Sequence, residues 1–290
     1  MAVTGIIGDG VLILSLDTTT RAASCALARD GVVVREDAID PSRQLALQLP
    51  GALDALLMLA DAELREIDAF AVVTGPGSFT GLRVGIATMQ GLAFADEKPL
   101  IGISGLTALS AVAAPAFLSS RIATWIDAWR GDVYAALYED SCAVGEPVVA
   151  SPGDLLDALA PRSDSAKASS DKKGAPYTDK APAALAANDI LFIGDGAETY
   201  RDLILGRLGQ AARIAEPASP LLAGVAARLA TIDYRNGHRP PPHAIRPLYV
   251  RRPDAELARE SSPGKPVRGE PEKAVPGEPD KARPTVAKTQ

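Results

Sequence analysis

A chain of 290 residues, 47% of them hydrophobic, is long enough to bury a sizeable core and to divide into two domains or two lobes of one. Its formal net charge of -6 is the wrong sign for holding nucleic-acid phosphates unaided, and no apolar run reaches the roughly 18 residues that a membrane span needs. Two cysteines without zinc-like spacing exclude a disulfide framework, both are expected to be reduced and packed, and MAVTGIIGDG lacks the features of a secretion signal, so a soluble, cytoplasmic protein is expected.

In chain order, strand-like runs at 12–16, 22–28 and 32–37 are separated by the DTTTR and Arg-Asp-Gly turns, which predicts a meander opening an α/β domain. A leucine-rich helix is predicted over 42–60, then a strand at 69–73, a helix rich in small residues, a strand at 100–103 and a helix at 104–113. Strands at 122–128 and 133–138 echo the opening meander and point to a second, related lobe. Further elements are expected at 154–160, at 190–193 ahead of GDGA, and in helices at 198–208 and 219–234. Alternating strands and helices imply sheets covered by helices. The segment 161–188 and the tail 260–290, with its GEPEKAVP and GEPDKARP repeats, have the composition of disordered chain.

The most informative stretch is TGPGSFTGLRVGIATMQG at 74–91. A buried strand runs into Gly75, Pro76 and Gly77, after which Ser78 or Thr80 can cap a helix. Such a helix start suits an anion, yet the same glycines serve equally well merely to turn the chain. Along the helix, Gly81, Gly85 and Thr88 fall on or near one face, with Leu82, Ile86 and Met89 on another. Small residues cost helix propensity, and the expected reason is close approach of another backbone, from this chain or from a partner.

The preceding helix carries more leucine than one buried face can use. Leu45, Leu49, Leu53, Leu56 and Ala60 are read as one stripe and Leu47, Leu57 and Leu59 as lying outside it, to be covered by a neighbouring helix or by a partner. Pro50 is expected to kink this helix. The only histidines, His238 and His243, fall in one late Pro/Arg-rich stretch, which gives neither a metal-binding pair nor a base for a nucleophilic Ser or Cys.

Residues 74–91, together with LILSLDTTTRAASCALARDG at 12–31, TWIDAWRGDVYAALYED at 124–140 and IRPLYVRR at 245–252, resemble the bacterial TsaB (YeaZ) family over about residues 11–259. The resemblance implies the two-lobed fold of the actin, Hsp70 and sugar-kinase (ASKHA) superfamily, an α/β fold with mixed sheets flanked by helices. The lobes are set at 11–115 and 116–259, with the last helix returning to the first lobe. It implies a non-catalytic subunit that pairs with a TsaD-like paralogue and works with a TsaE-like ATPase in making N6-threonylcarbamoyladenosine at adenosine 37 of tRNAs reading ANN codons. On that reading tRNA is met only through the complex, the chain has no cofactor of its own, ATP or ADP belongs at the partner boundary, and a homodimer forms when the partner is scarce. The expected partner interface is Leu45, Leu47, Leu49, Leu53, Leu57, Arg83, Ile86 and Gln90.

The alternative is a nucleotide-dependent phosphotransferase using Asp17, Thr18, Thr19, Gly75, Gly77 and Ser78 as a nucleotide or phosphate loop. Against it, the DTTT turn lacks the glycine usual there in the superfamily's kinases, so Asp17 and the threonines are read first as satisfying turn donors. The GDGA run at 194–197 resembles a superfamily loop that touches adenosine. Gln44 stands where the family commonly has histidine. A metallopeptidase reading has no metal-ligating set behind it.

Overall fold

A computed structural model describes residues 10–21, 23–40, 44–114, 121–159 and 189–250. The expected disordered segments at 161–188 and 260–290 lie outside these. In the first sheet, the central β1 (Leu12–Asp17) pairs antiparallel with β2 (Ser24–Arg29), which pairs antiparallel with β3 (Val32–Ala38). On the other edge β1 runs parallel to β4 (Ala69–Val73), itself parallel to β5 (Leu100–Ile103). The second sheet repeats the plan with β6 (Arg121–Asp127) at its centre. The antiparallel β7 (Val133–Glu139) and β8 (Cys142–Ala150) lie on one side of it, and the parallel β9 (Ile190–Ile193) and β10 (Ala212–Ile214) on the other. Two mixed sheets of one topology, each flanked by helices, make the expected two-lobed α/β architecture, and the echo of the opening meander is a repeat of a whole sheet.

Strand alternation splits the core into layers. Leu12, Leu14 and Leu16 of β1 pack on one face of the first sheet with α1 (Leu45–Leu59) and α2 (Phe79–Ala95). Ile13, one residue out of phase, belongs to a central layer with α3 (Gly105–Ala113) and α7 (Ala223–Arg235). That layer reaches the second sheet through Ile122, Ile126, Leu191 and Ile193. The far face of the second sheet is covered around Trp125 and Phe192 by residues of α4 (Pro152–Leu159), α5 (Asp195–Thr199) and α6 (Arg201–Leu208).

Although α7 follows the second sheet in sequence, it packs across the strands of the first. Polar side chains of the first sheet seat its N-terminal end. Ser15 Oγ donates to the Ala223 carbonyl at 2.6 Å, the Ala223 amide donates to Ser24 Oγ at 3.2 Å, and the Gly224 amide donates to Glu36 Oε1 at 2.7 Å. Two helix-terminal amides thereby find acceptors on the sheet.

Two predicted helices differ from expectation for local reasons, and two strands were not predicted. The helix expected at 198–208 is two short helices that meet at Tyr200. The last helix starts at Ala223, after the Ser219-Pro220 step. β8 and β10 were not anticipated: β8 carries Gly145 and Pro147 and buries none of its residues fully, while β10 has only three residues.

Candidate functional site

The DTTT turn at the end of β1 is closed on itself. Asp17 Oδ1 accepts from the Thr19 amide at 2.8 Å and from the Thr19 hydroxyl at 2.7 Å, and Oδ2 accepts from Thr20 Oγ1 at 3.3 Å. Burial pushes the Asp17 carboxyl up to about 6, against the opposing pull of these hydrogen bonds. Thr18 Oγ1 donates to the Gly81 carbonyl at 2.8 Å, and the Ser78 amide donates to the Thr19 carbonyl at 2.9 Å.

These contacts account for Gly81 and Gly85 of α2. A Cβ on Gly81 would lie 2.1 Å from the Thr18 carbonyl oxygen, and one on Gly85 would lie 2.1 Å from Thr18 Oγ1. The close-approaching backbone is therefore the chain's own turn after β1. Gly77 is shaped by the same turn, with an added Cβ 2.3 Å from the Thr19 carbonyl oxygen. Ser78 caps α2 through Oγ, which accepts from the Gly81 amide at 3.2 Å. The structure brings Asp17, Thr18, Thr19, Gly77 and Ser78 together, with Gly75 earlier in the same turn, its carbonyl accepting from the Gly105 amide at 2.8 Å. Their donors and space are largely spent on one another.

Beside this turn lies a cleft of about 480 Å³ lined by Thr18 to Arg21 from the first sheet, by the starts of α1 and α2, and by Asp127, Trp129 and Asp195 from the second sheet. Arg21 bridges the two sheets: it pairs with Asp127 at 3.1 Å and lies over the Trp129 ring at 5.1 Å. The Asp127 amide donates to Asp195 Oδ1 at 3.0 Å, and burial, the largest influence, pushes the Asp195 carboxyl up. With Asp40 also in the wall, three carboxylates face one arginine, itself already paired, which is a poor setting for a bare polyphosphate. The GDGA run forms the tight start of α5, where a Cβ on Gly194 would strike the Trp125 carbonyl.

Away from the cleft, α1 and α2 leave several apolar side chains exposed. Leu47 is 78% exposed, Met58 72% and Leu59 57%, and from α2 Arg83, Ala87, Gly91 and Phe94 face solvent. Much of the expected interface instead points inward. Leu49, Leu53, Leu57 and Ile86 are buried in the chain's own core, and Leu45 is half-buried against it. Leu57 was misplaced because it sits four residues after Leu53 and eight after Leu49, on the same helical stripe. Gln90 is also committed internally: its Nε2 donates to the Pro242 carbonyl at 2.9 Å and the Ile245 carbonyl at 3.1 Å. Leu47 and Arg83 remain outward. Met58, eleven residues on from Leu47, and Phe94, eleven on from Arg83, each share the face of an outward residue and could have been found from periodicity.

Among the described residues, no group of three His, Cys, Asp or Glu side chains is placed to hold a metal ion, and no helix is long and apolar enough to cross a membrane. His238 and His243 are exposed in the segment after α7. Both cysteines are free; Cys25 is packed as expected and its thiol is pushed up to about 11 by burial, but Cys142 is exposed at the start of β8.

The Escherichia coli "tRNA threonylcarbamoyladenosine biosynthesis protein TsaB" is 40% identical over 127 residues, 44% of this chain and 54% of the relative. The chain thus spans about half the length of that curated relative, while a Mycobacterium tuberculosis protein described as uncharacterized is 29% identical over 84% of this chain and 93% of its own. The solved structure of YeaZ from Pseudomonas aeruginosa superposes with a TM-score of 0.61 at 28% identity, covering 82% of this chain and 99% of that one. Residues 27–259 match the family model described as "TsaD: tRNA N6-adenosine threonylcarbamoyltransferase". The chain belongs to this family, on its TsaB/YeaZ branch. Membership of that branch agrees with the four sequence blocks that first suggested it.

Proposed function

We propose that this chain is a non-catalytic, TsaB-type subunit of the machinery that makes N6-threonylcarbamoyladenosine at adenosine 37 of tRNAs reading ANN codons. It acts by docking a TsaD-type partner on the outer face of α1 and α2, alongside a TsaE-type ATPase. The observation that carries this reading is the solvent-facing surface of Leu47, Met58, Leu59 and Phe94, with Ala87 and Gly91 on the same side of α2. Exposed apolar side chains beside small residues suit a second helix pair, whose backbone can come close where side chains are absent. Nothing within 4 Å would meet a Cβ at Gly91, so that surface is open in the free chain.

The acid-lined cleft and the self-satisfied DTTT turn weigh against a phosphotransferase acting alone. With net charge -6, the chain would meet tRNA through the complex, any ATP or ADP would sit at the boundary with the partner, and a second copy could take the partner's place by mass action. The test is threonylcarbamoyl transfer to unmodified tRNA by reconstituted partners, with the chain present, omitted, or replaced by Leu47→Asp or Asp17→Ala. Loss on omission and with Leu47→Asp, but not with Asp17→Ala, is expected. Loss with folded Asp17→Ala and not with Leu47→Asp would return the function to the cleft.

A further inference from the structure

We infer that Arg83 is a preformed receptor for a carboxylate, and that the protein docking on α2 places an acidic side chain there. This rests on the docking reading above and adds the chemistry that the partner must present.

The guanidinium is held from two sides. Its Cζ lies 3.9 Å from the centroid of the Phe79 ring, and its Nε donates to the Tyr249 hydroxyl at 3.3 Å. The two rings pack on each other, with centroids 5.5 Å apart. Tyr249 comes from the segment after α7, which is tied down by the two Gln90 hydrogen bonds and by the Leu248 amide donating to the Thr74 carbonyl at 2.7 Å. Two parts of the chain, the first turn of α2 and the segment after α7, therefore hold one exposed arginine, and the ordering cost of a long side chain is met before any partner arrives.

What they leave unused is the outer edge of the fork. Arg21, Arg35, Arg121, Arg201, Arg213 and Arg235 each pair with a carboxylate of this chain. Arg83 has no ion pair among the described residues, and its Nη1 and Nη2 have no hydrogen-bond partner there. A planar guanidinium with both terminal nitrogens free matches the two oxygens of a carboxylate in a bidentate pair.

Its position selects the source of that carboxylate. Arg83 stands four residues before Ala87 and eight before Gly91, in line with the outward row of α2, and is framed by Phe79 and Tyr249. An apolar frame that sheds water on docking strengthens one well-placed ion pair and fits a protein interface. Contacts to a nucleic-acid backbone rely on several cations spread over a surface, which a chain of net charge -6 supplies poorly.

The experiment measures the dissociation constant of the complex with a TsaD-type subunit by calorimetry, and tRNA binding by the same complex. Arg83→Ala should weaken the complex on the order of tenfold to a hundredfold without lowering the melting temperature of the free chain, and Arg83→Lys should recover little, because an ammonium lacks the fork. Arg83→Glu should be rescued by one acid-to-arginine change on the partner. Unchanged affinity with Arg83→Ala, while Leu47→Asp breaks the complex, overturns this inference and leaves the docking reading standing. Unchanged affinity with both variants overturns both. Weakened tRNA binding with unchanged partner affinity would assign Arg83 to a phosphate and overturn the carboxylate assignment.

Discussion

The Thr18 hydroxyl fills the space in which a side chain at Gly85 would begin, since a Cβ there would lie 2.1 Å from Thr18 Oγ1. The turn that follows β1 and the helix that follows β4 are thus fitted to each other atom against atom. Alanine would normally improve a helix over glycine by about 1 kcal/mol. At Gly81 and Gly85 that gain is expected to be outweighed by overpacking of about 1–3 kcal/mol, with Gly81→Ala the worse because it meets a backbone oxygen. At Gly91, where nothing lies within 4 Å, Gly91→Ala should stabilise the free chain. Urea midpoints for the three variants check this, and Thr18→Ala should relieve Gly85→Ala more than it relieves Gly81→Ala.

Leu47 and Leu57 are ten residues apart on one helix and should behave oppositely. Leu57 is only 8% exposed, so Leu57→Ala is expected to cost about 2–5 kcal/mol of folding stability. Leu47→Ala should leave stability within about 0.5 kcal/mol of the parent. Paired unfolding and co-purification measurements separate the two, and a Leu47 variant that unfolds the free chain would contradict the exposed placement.

Asp17 supplies a dependence on pH. An unfolded aspartate titrates at its ordinary value of 3.8 and the folded one at about 6, so between them the folded chain holds a proton that the unfolded chain has released. The folded-state advantage is full below the unfolded value, and it is lost as pH rises through the folded value. The span between the two values corresponds to about 3 kcal/mol. Asp17→Asn keeps an acceptor for Thr19 and removes the titration. Plotted against pH between 4 and 7, the stability of the wild type relative to Asp17→Asn should therefore fall; parallel profiles would remove Asp17 as the cause.

Gln90 ties α2 to the segment that follows α7. Gln90→Ala removes both hydrogen bonds and leaves the Pro242 and Ile245 carbonyls without that donor, a loss of about 1–3 kcal/mol. Faster hydrogen exchange at the Leu248 amide and earlier protease cleavage in 236–250 are the expected signs. Because that segment delivers Tyr249 to Arg83, the same variant should also loosen Arg83.

Much of this fold could be read from the chain because its strands are short apolar runs separated by strong turns. Residues 69–73, 100–103 and 190–193 were placed to the residue. β8 escaped because it lies at a sheet edge with no buried face to impose alternation on its sequence. The reason for Gly81 and Gly85 of α2 was half legible: their spacing demanded a close neighbour, but only the folded chain identifies it as Thr18.

The docking surface was less legible. Counting leucines showed that there were more than one face could hold, yet assigning Leu57 outward ignored its helical phase with Leu49 and Leu53. Gln90 and Arg83 look alike in sequence, two polar residues on one helix, and their fates diverge because residues 152 or more positions away reach only Gln90's amide with carbonyls. The Phe79, Arg83 and Tyr249 cluster joins residues 166 positions apart and could not be seen before folding.

The seating of α7 on the first sheet has a consequence for synthesis on the ribosome. Ile13, Ala71 and Ile101 are translated early, but Leu222, Ala226 and Ala230, which help to cover them, emerge more than a hundred residues later. The first sheet therefore waits, one face unfinished, while the whole second sheet is made. A nascent chain arrested before residue 223 would display that face to chaperones or to other nascent chains, so this protein completes its first half last.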